Sequence, residues 1–170
     1  MYSYLTKIYW DTKLPIYKLS HSKLSERGIT SLLIDVDGTL LSRNSNIIPV
    51  KVKKWIIRSK EMFDLYLISN NPSEKRIYKI GKELGIRYKS KALKPRIKNT
   101  LEVINNLNKD KNNIAIIGDR IFTDIIVGNR CKIKTILIKR LNKKGLPLKF
   151  NTTLLICLLY TSPSPRDLAQ

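Results

Sequence analysis

The sequence predicts an α/β fold: a five-stranded parallel sheet with helices on both faces, a three-layer Rossmann-like arrangement. Three observations predict it. Short apolar runs recur along the chain, the pattern of strands buried on both faces. Between them lie stretches with apolar residues near helical spacing, several opened by Pro and one stopped by Gly. The two kinds alternate, which implies parallel strands joined by right-handed crossovers. A length of 170 residues suits one domain of roughly 100–200 residues.

The elements follow in order. Ser31 to Val36 is the first buried strand. Pro49 opens a helix over Val50 to Phe63, with Val52, Trp55, Ile56 and Met62 near one face. Leu65 to Ile68 is the second strand. Pro72-Ser73-Glu74 begins a helix that runs to Leu84 and stops at Gly85. Ile86 to Tyr88 is a third, shorter strand. Pro95 begins a helix with Ile97, Leu101, Ile104 and Leu107 in register. Asn113 to Ile117 is the fourth strand, Thr123 to Asn129 a short helix, and Ile133 to Ile138 the fifth strand. Residues 1–30 are less regular and form a lead-in, with Tyr2, Tyr4, Tyr9, Trp10 and Tyr17 among lysines.

Composition bounds the class. The chain is 42% hydrophobic and 27% charged, a globular balance that excludes disorder over the whole chain. No run approaches the ~20 apolar residues of a membrane-spanning helix. Met1 to Asp11 shows no secretory pattern. Two cysteines, Cys131 and Cys157, make no disulfide framework and suit a reducing compartment. The expectation is a cytoplasmic protein, with a peripheral position at a membrane face as its extension.

Thirty-three Lys+Arg against thirteen Asp+Glu give a net charge of +20. That charge points to a polyanionic partner or surface. It also fits a residue bias toward Lys, Ile and Asn, and the two readings stand side by side.

From Cys157 to Asp167 the sequence resembles the translated read-through of a transposase-type sequencing adapter. Ser162-Pro163-Ser164-Pro165 can join neither a helix nor a central strand. The expected organisation is therefore a lead-in over 1–30, an α/β domain over 31–156 that lacks its native end, and a foreign tail over 157–170.

In such sheets ligands bind at the carboxyl ends of the strands. Asp35-Val36-Asp37-Gly38-Thr39 ends the first strand and Ser69-Asn70-Asn71 the second. Lys94 precedes the third helix. Gly118-Asp119 ends the fourth strand, with Thr123-Asp124 following. Carboxylates crowded together repel, and a hard divalent cation such as Mg²⁺, with oxygen ligands and a substrate phosphate, relieves the repulsion. Asp carboxylates also form covalent phosphoryl intermediates, so Asp35 is a candidate nucleophile. Asp37, two residues on, would share a face with it in an extended strand and could serve as general acid. Gly38 leaves room for the turn and the substrate.

These segments, in this order and spacing, resemble the four motifs of the haloacid dehalogenase superfamily, across about Leu32 to Ile138. The resemblance implies Asp35 as nucleophile, Asp37 as acid/base, Ser69 as a phosphate ligand, and Lys94 as the group that neutralises charge and holds the nucleophile. It implies Mg²⁺ bound by Asp35, Asp119 and the main-chain carbonyl of Asp37, with Asp124 behind them. Gly38, Thr39 and Asn70 would border the substrate. It also implies the sheet order 5-4-1-2-3.

Neither Leu40 to Ile48, about nine residues, nor Ser69 to Lys94 leaves room for a cap domain. An uncapped site suits a large or anchored phosphate. Lys91-Ala92-x-Lys94-Pro95, the stretch from Gly118-Asp119 to Gly128-Asn129-Arg130, and Leu24 to Ile29 resemble the capless, subfamily IIIA phosphatidylglycerophosphate phosphatases of bacteria, plastids and mitochondria. That resemblance implies removal of the terminal phosphate of phosphatidylglycerophosphate, with an anionic lipid or membrane surface as partner. The aromatic residues of 1–17 would then lie at the headgroup level or pack on the core. Two alternatives are a phosphatase for nucleic-acid ends or nucleotides and a non-catalytic basic RNA- or ribosome-binding module. Against the first, no stacking aromatic is evident beside the proposed site. The oligomeric state is left open. His21 and Cys131 read as packing residues, and Lys139-Arg140 with Lys143-Lys144 as a solvated loop.

Overall fold

The structure is a computed structural model and describes residues 4–148; the proposed foreign tail and Cys157 lie outside them. Its centre is β2 (Ser31–Ile34), in which every residue is buried. The period of two along this strand sends Leu32 and Ile34 into one core layer and Leu33 into the other. The first layer lies under α2 (Val50–Lys60) and α3 (Glu74–Leu84), through Val52, Trp55, Ile56, Ile77 and Ile80. The second lies under α4 (Lys98–Leu107) and α5 (Ile126–Cys131), through Val103, Ile104, Val127 and Cys131. The result is the three-layer α/β/α sandwich expected from the alternation.

The remaining strands are β1 (Trp10–Asp11), β3 (Asp64–Ile68), β4 (Arg87–Lys89), β5 (Ile114–Gly118) and β6 (Lys134–Leu137). All pair in parallel, in the order β1-β6-β5-β2-β3-β4. The five expected strands stand in the expected order. The correction is a sixth strand: Trp10 lies opposite Ile136 and Asp11 opposite Leu137, closing the β6 edge. Two residues, one of them charged, carry no alternating pattern for a sequence reading to find.

The lead-in is packed into the domain. Ile16, Leu19, Leu24 and Ile29 are buried in the first core layer. A 3₁₀ turn (Ile16–Lys18) precedes α1 (His21–Glu26), which Ser20 caps by accepting from the Lys23 amide. The Trp55 indole N–H donates to the Leu19 carbonyl at 2.9 Å, tying α2 to this segment. His21 stacks between Trp55 and Phe63 and reaches Ser59 Oγ at 2.9 Å, so it is a packing residue. Of the lead-in aromatics, Trp10 lies under the Arg27 guanidinium and Tyr17 packs on the core, whereas Tyr4 and Tyr9 are exposed.

Two helix starts differ from expectation. The helix expected from Pro95 begins at Lys98, because residues 91–97 form a looped turn with Lys91 and Leu93 in the left-handed region. The helix expected over Thr123 to Asn129 is split into a wide π-type turn (Ile121–Ile125) running into α5. Both irregular segments lie at the carboxyl edge and carry site residues. No helix among the described residues is long and apolar enough to cross a membrane, and no inserted domain lies between β2 and α2.

Candidate active site

The site forms where β2 and β5 lie side by side. Asp35 is the first residue past β2, and its amide still donates to the Ile117 carbonyl at 2.9 Å. The chain then turns: the Thr39 and Leu40 amides both donate to the Val36 carbonyl. Asp37 is therefore in a turn, not on an extended strand, which corrects the argument from strand alternation. Both carboxylates still face the same small cavity of about 70 Å³, lined also by Ser69, Asn70, Lys94 and Thr123.

Lys94 is the hub. Its side chain is 1% exposed. Its Nζ donates to Asp35 Oδ1 at 2.7 Å, Asp124 Oδ1 at 2.6 Å and the Ile68 carbonyl at 3.1 Å. The ammonium thus has three acceptors for three protons, which compensates for its burial. Desolvation opposes its charge, but Asp124 and Asp35 more than offset this and hold its pKa above the ordinary lysine value. Asn70 fixes the backbone beneath it. Its Oδ1 accepts from the Lys94 amide at 2.7 Å and its Nδ2 donates to the Lys94 carbonyl at 2.8 Å. Both ends of the Asn70 amide are therefore engaged in bracing Lys94 rather than free for a phosphate.

Oxygens of Asp35, Asp119 and Asp124 come within 4.8 Å of one another, and all three residues are buried. Burial is the largest influence on Asp35. The neighbouring carboxylates add to it and Lys94 works against it, so that its pKa is pushed up to about 8. Asp119 is raised as well, by burial and Asp124, against Arg140 and Arg120. Asp119 Oδ1 is buried with no hydrogen-bond partner. An orphaned carboxylate oxygen, facing two other carboxylates, fits a hard divalent cation with oxygen ligands.

Two glycines allow this crowding. Gly38 has φ +97°, and a Cβ there would fall 2.6 Å from Asp119 Oδ2 and 2.9 Å from Arg140 Nε. A Cβ on Gly118 would overlap the Asp124 carboxylate itself. Thr39 is fully buried, and its hydroxyl points at Asp35 Oδ2 at 3.4 Å. Ser69 is buried too, its Oγ accepting from the Asn71 amide at 3.1 Å.

Two arginines that sequence reasoning passed over belong to the site. Arg140 donates from Nε to Asp119 Oδ2 at 2.5 Å, so it is not part of a solvated loop. Arg76, on α3, sits 2.8 Å from Asp37 Oδ1 and ties the same guanidinium to Asn46 and the Ser45 carbonyl. Asn71 Nδ2 donates to Asp37 Oδ2 at 2.9 Å. The Asp37 carboxylate is thereby held at the rim, apart from the buried triad. Arg130 donates to the Pro95 carbonyl and braces the loop that carries Lys94. Among the described residues no aromatic lines the cavity; Phe122, next to Thr123 in the chain, is exposed.

The site is similar in sequence to a known group. A family model described as "Mitochondrial PGP phosphatase" matches residues 5–140. The probable phosphatase YqeG of Bacillus subtilis is 30% identical over 123 residues, covering 72% of this chain and 72% of that protein. The chloroplastic/mitochondrial phosphatidylglycerophosphate phosphatase 1 of Arabidopsis thaliana is 27% identical over 133 residues, covering 73% of this chain and 38% of that protein. Among solved structures, the cobalt-bound deoxy-D-mannose-octulosonate 8-phosphate phosphatase of Haemophilus influenzae shares the fold. It has a TM-score of 0.53 at 16% identity, over 68% of this chain and 70% of that one.

Proposed function

Because the chain belongs to the mitochondrial PGP phosphatase family, phosphatases of the haloacid dehalogenase superfamily, we propose that it is a Mg²⁺-dependent phosphatidylglycerophosphate phosphatase. The observation that carries the chemical part of this reading is the Asp35, Asp119 and Asp124 cluster around Lys94, with one Asp119 oxygen left unpartnered. Asp35, Asp119 and Asp124 would hold the cation, which when bound would neutralise charge on the substrate phosphate.

The chain's own groups divide the remaining work. Asp35 is the nucleophile: its oxygen attacks phosphorus, and the bond from phosphorus to the glycerol oxygen breaks. Asp37 gives that oxygen its proton, so phosphatidylglycerol leaves with a neutral terminal hydroxyl. Water then attacks the aspartyl-phosphate, Asp37 takes a proton from it, and phosphate departs with Asp35 regenerated. Lys94 holds Asp35 by its 2.7 Å bond and offsets negative charge as it builds on the transferring group. Ser69 borders the phosphate. Gly38 and Thr39 set the turn that aims Asp35, and Thr39 donates to it.

The lipid part of the reading rests on the family and on an uncapped site. Purified protein with Mg²⁺ is to be offered detergent-dispersed phosphatidylglycerophosphate, a DNA 3′-phosphate and an aryl phosphate, beside Asp35→Asn. Release of phosphate from the lipid in preference to the other two, abolished in the variant, is the expected result. Preference for the DNA end transfers the reading to nucleic-acid ends. Aryl-phosphate turnover that survives in Asp35→Asn overturns the nucleophile assignment.

A further inference from the structure

We propose that the carboxyl edge of the sheet is a docking face for an anionic lipid surface, so that the bilayer itself covers the uncapped site. The proposal rests on the lipid-phosphate reading above and adds to it the surface by which the chain reaches its substrate.

Six segments form this edge: residues 12–15, 35–49, 69–73, 90–97, 119–125 and 138–148. Their only acids are the four site aspartates, Asp35, Asp37, Asp119 and Asp124, while they hold ten Lys and Arg residues. Arg43, Lys91, Arg96, Lys143 and Lys144 are exposed, and no carboxylate pairs with them among the described residues. Three further acids adjoin the edge: Asp11 is paired with Lys13, Glu102 is paired with Lys89, and Glu74 opens α3. Other exposed carboxylates (Glu26, Glu61, Asp64, Glu83 and Asp110) lie on or before the strand starts at the opposite edge. Cations lie at both ends of the sheet, but only at the carboxyl edge are they free of interspersed exposed carboxylates, and that end is the one suited to an anionic plane.

The same edge holds apolar side chains in water. Ile47 is 80% exposed, Val50 67%, Leu93 53%, Leu146 47% and Phe122 45%. Single exposed apolar residues are ordinary, but four of these lie in the segments at the cavity's edge of the sheet, and Val50 directly follows one of them. Gly145 lies against Pro49, which brings the Leu146 and Ile47 loops together. Leu93 is carried outward on a left-handed turn (φ 56°) while its neighbour Lys94 points into the site. Four of the five are aliphatic and offer no face for stacking a base. Aliphatic tips inside a cationic ring are what the boundary between headgroups and acyl chains receives. The cavity lies at the same edge, bordered by Arg43, Arg120 and Pro72. A phosphate presented from a bilayer plane would enter along that axis, and the docked loops would exclude water without a cap domain.

The test uses the full chain carrying Asp35→Asn, floated with vesicles of mixed phosphatidylglycerol and phosphatidylcholine and with phosphatidylcholine alone. Binding should be confined to the anionic vesicles. Ile47→Ser, Phe122→Ser and Leu146→Ser together should lower partition at least about tenfold, since each removes apolar surface that the acyl boundary would bury. Lys143→Glu with Lys144→Glu should lower it at least about 25-fold, at roughly fivefold per cation lost. Lys82→Glu with Lys132→Glu, at the opposite edge, should lower it much less. With Asp35 restored, all these surface variants should retain aryl-phosphate turnover, which reports that they are folded. Equal partition in every variant, or an equal loss from the opposite-edge pair, overturns the proposal. Displacement of the vesicles by a single-stranded oligonucleotide at equal charge overturns it in favour of nucleic acid. If aryl phosphate is hydrolysed while detergent-dispersed phosphatidylglycerophosphate is not, the substrate assignment fails and the vesicle result still decides the face.

Discussion

Replacing Lys94 by Met tests the arrangement at its centre. The substitution nearly conserves volume and removes one buried charge. It leaves Asp35 and Asp124, now bonded at 2.7 and 2.6 Å to the ammonium, facing each other and Asp119 within 4.8 Å. Removing one partner of a buried pair costs about 3–5 kcal/mol. For a chain of this size each kcal/mol moves the melting temperature by ~2–4 °C, so Lys94→Met should melt about 6–20 °C below the parent at pH 7.5 in chelator. The deficit should shrink on adding Mg²⁺, which would take up part of the lost positive charge. Scanning calorimetry with and without Mg²⁺ reads both. Lys94→Met that melts with the parent in chelator, or whose deficit is the same with and without Mg²⁺, refutes the charge-hub reasoning.

Four more outcomes follow from the geometry. The Asp35 carboxyl is raised to about 8, mainly by burial, so its protonated form is favoured in the folded chain. Stability is then fullest below its ordinary value and is lost as pH rises through about 8; in chelator the melting temperature should fall across that window, and Mg²⁺ should flatten the fall. Gly38→Ala sets a Cβ 2.6 Å from Asp119 Oδ2 at φ +97°, and should lose about 1–3 kcal/mol in a denaturant titration together with most phosphatase turnover. Arg140→Ala frees Asp119 Oδ2 and should weaken Mg²⁺ binding about 10–100-fold, as removal of an outer partner of a metal ligand does; isothermal titration measures it. Trp55→Phe removes the N–H bond to Leu19 and should cost about 1–3 kcal/mol by stranding a buried carbonyl, with aryl-phosphate turnover unchanged.

The central sheet was legible because strands buried on both faces must be apolar throughout. Leu32 to Ile34 and Ile114 to Ile117 carry no other signal and need none. Gly85 marked the end of α3 for the same local reason, and Asp35, Lys94 and Asp119 were legible because parallel topology brings strand ends to one rim. Arg76 and Arg140 were not. Each is one cation among thirty-three, and nothing local distinguishes the one that closes on a carboxylate from those in water. Asp124 was expected behind the metal ligands; its carboxylate lies within 4.8 Å of those of Asp35 and Asp119, and the π-type turn that carries it has no periodic signature. The β1 pairing lay beyond reach too, because two residues cannot display alternation.

The pairing of Trp10 with Ile136 has a consequence for biosynthesis. A nascent chain leaves the ribosome amino end first, so β1 is made early and β6, its neighbour among the described residues, much later. At ~5–20 residues per second it waits roughly 6–25 s before β6 emerges. During that interval Trp10 has no edge to join and the bottom of the first core layer stands open. Completion of the sheet is therefore a post-emergence event, and a ribosome stalled before residue 134 should display this segment to proteases that the finished molecule resists.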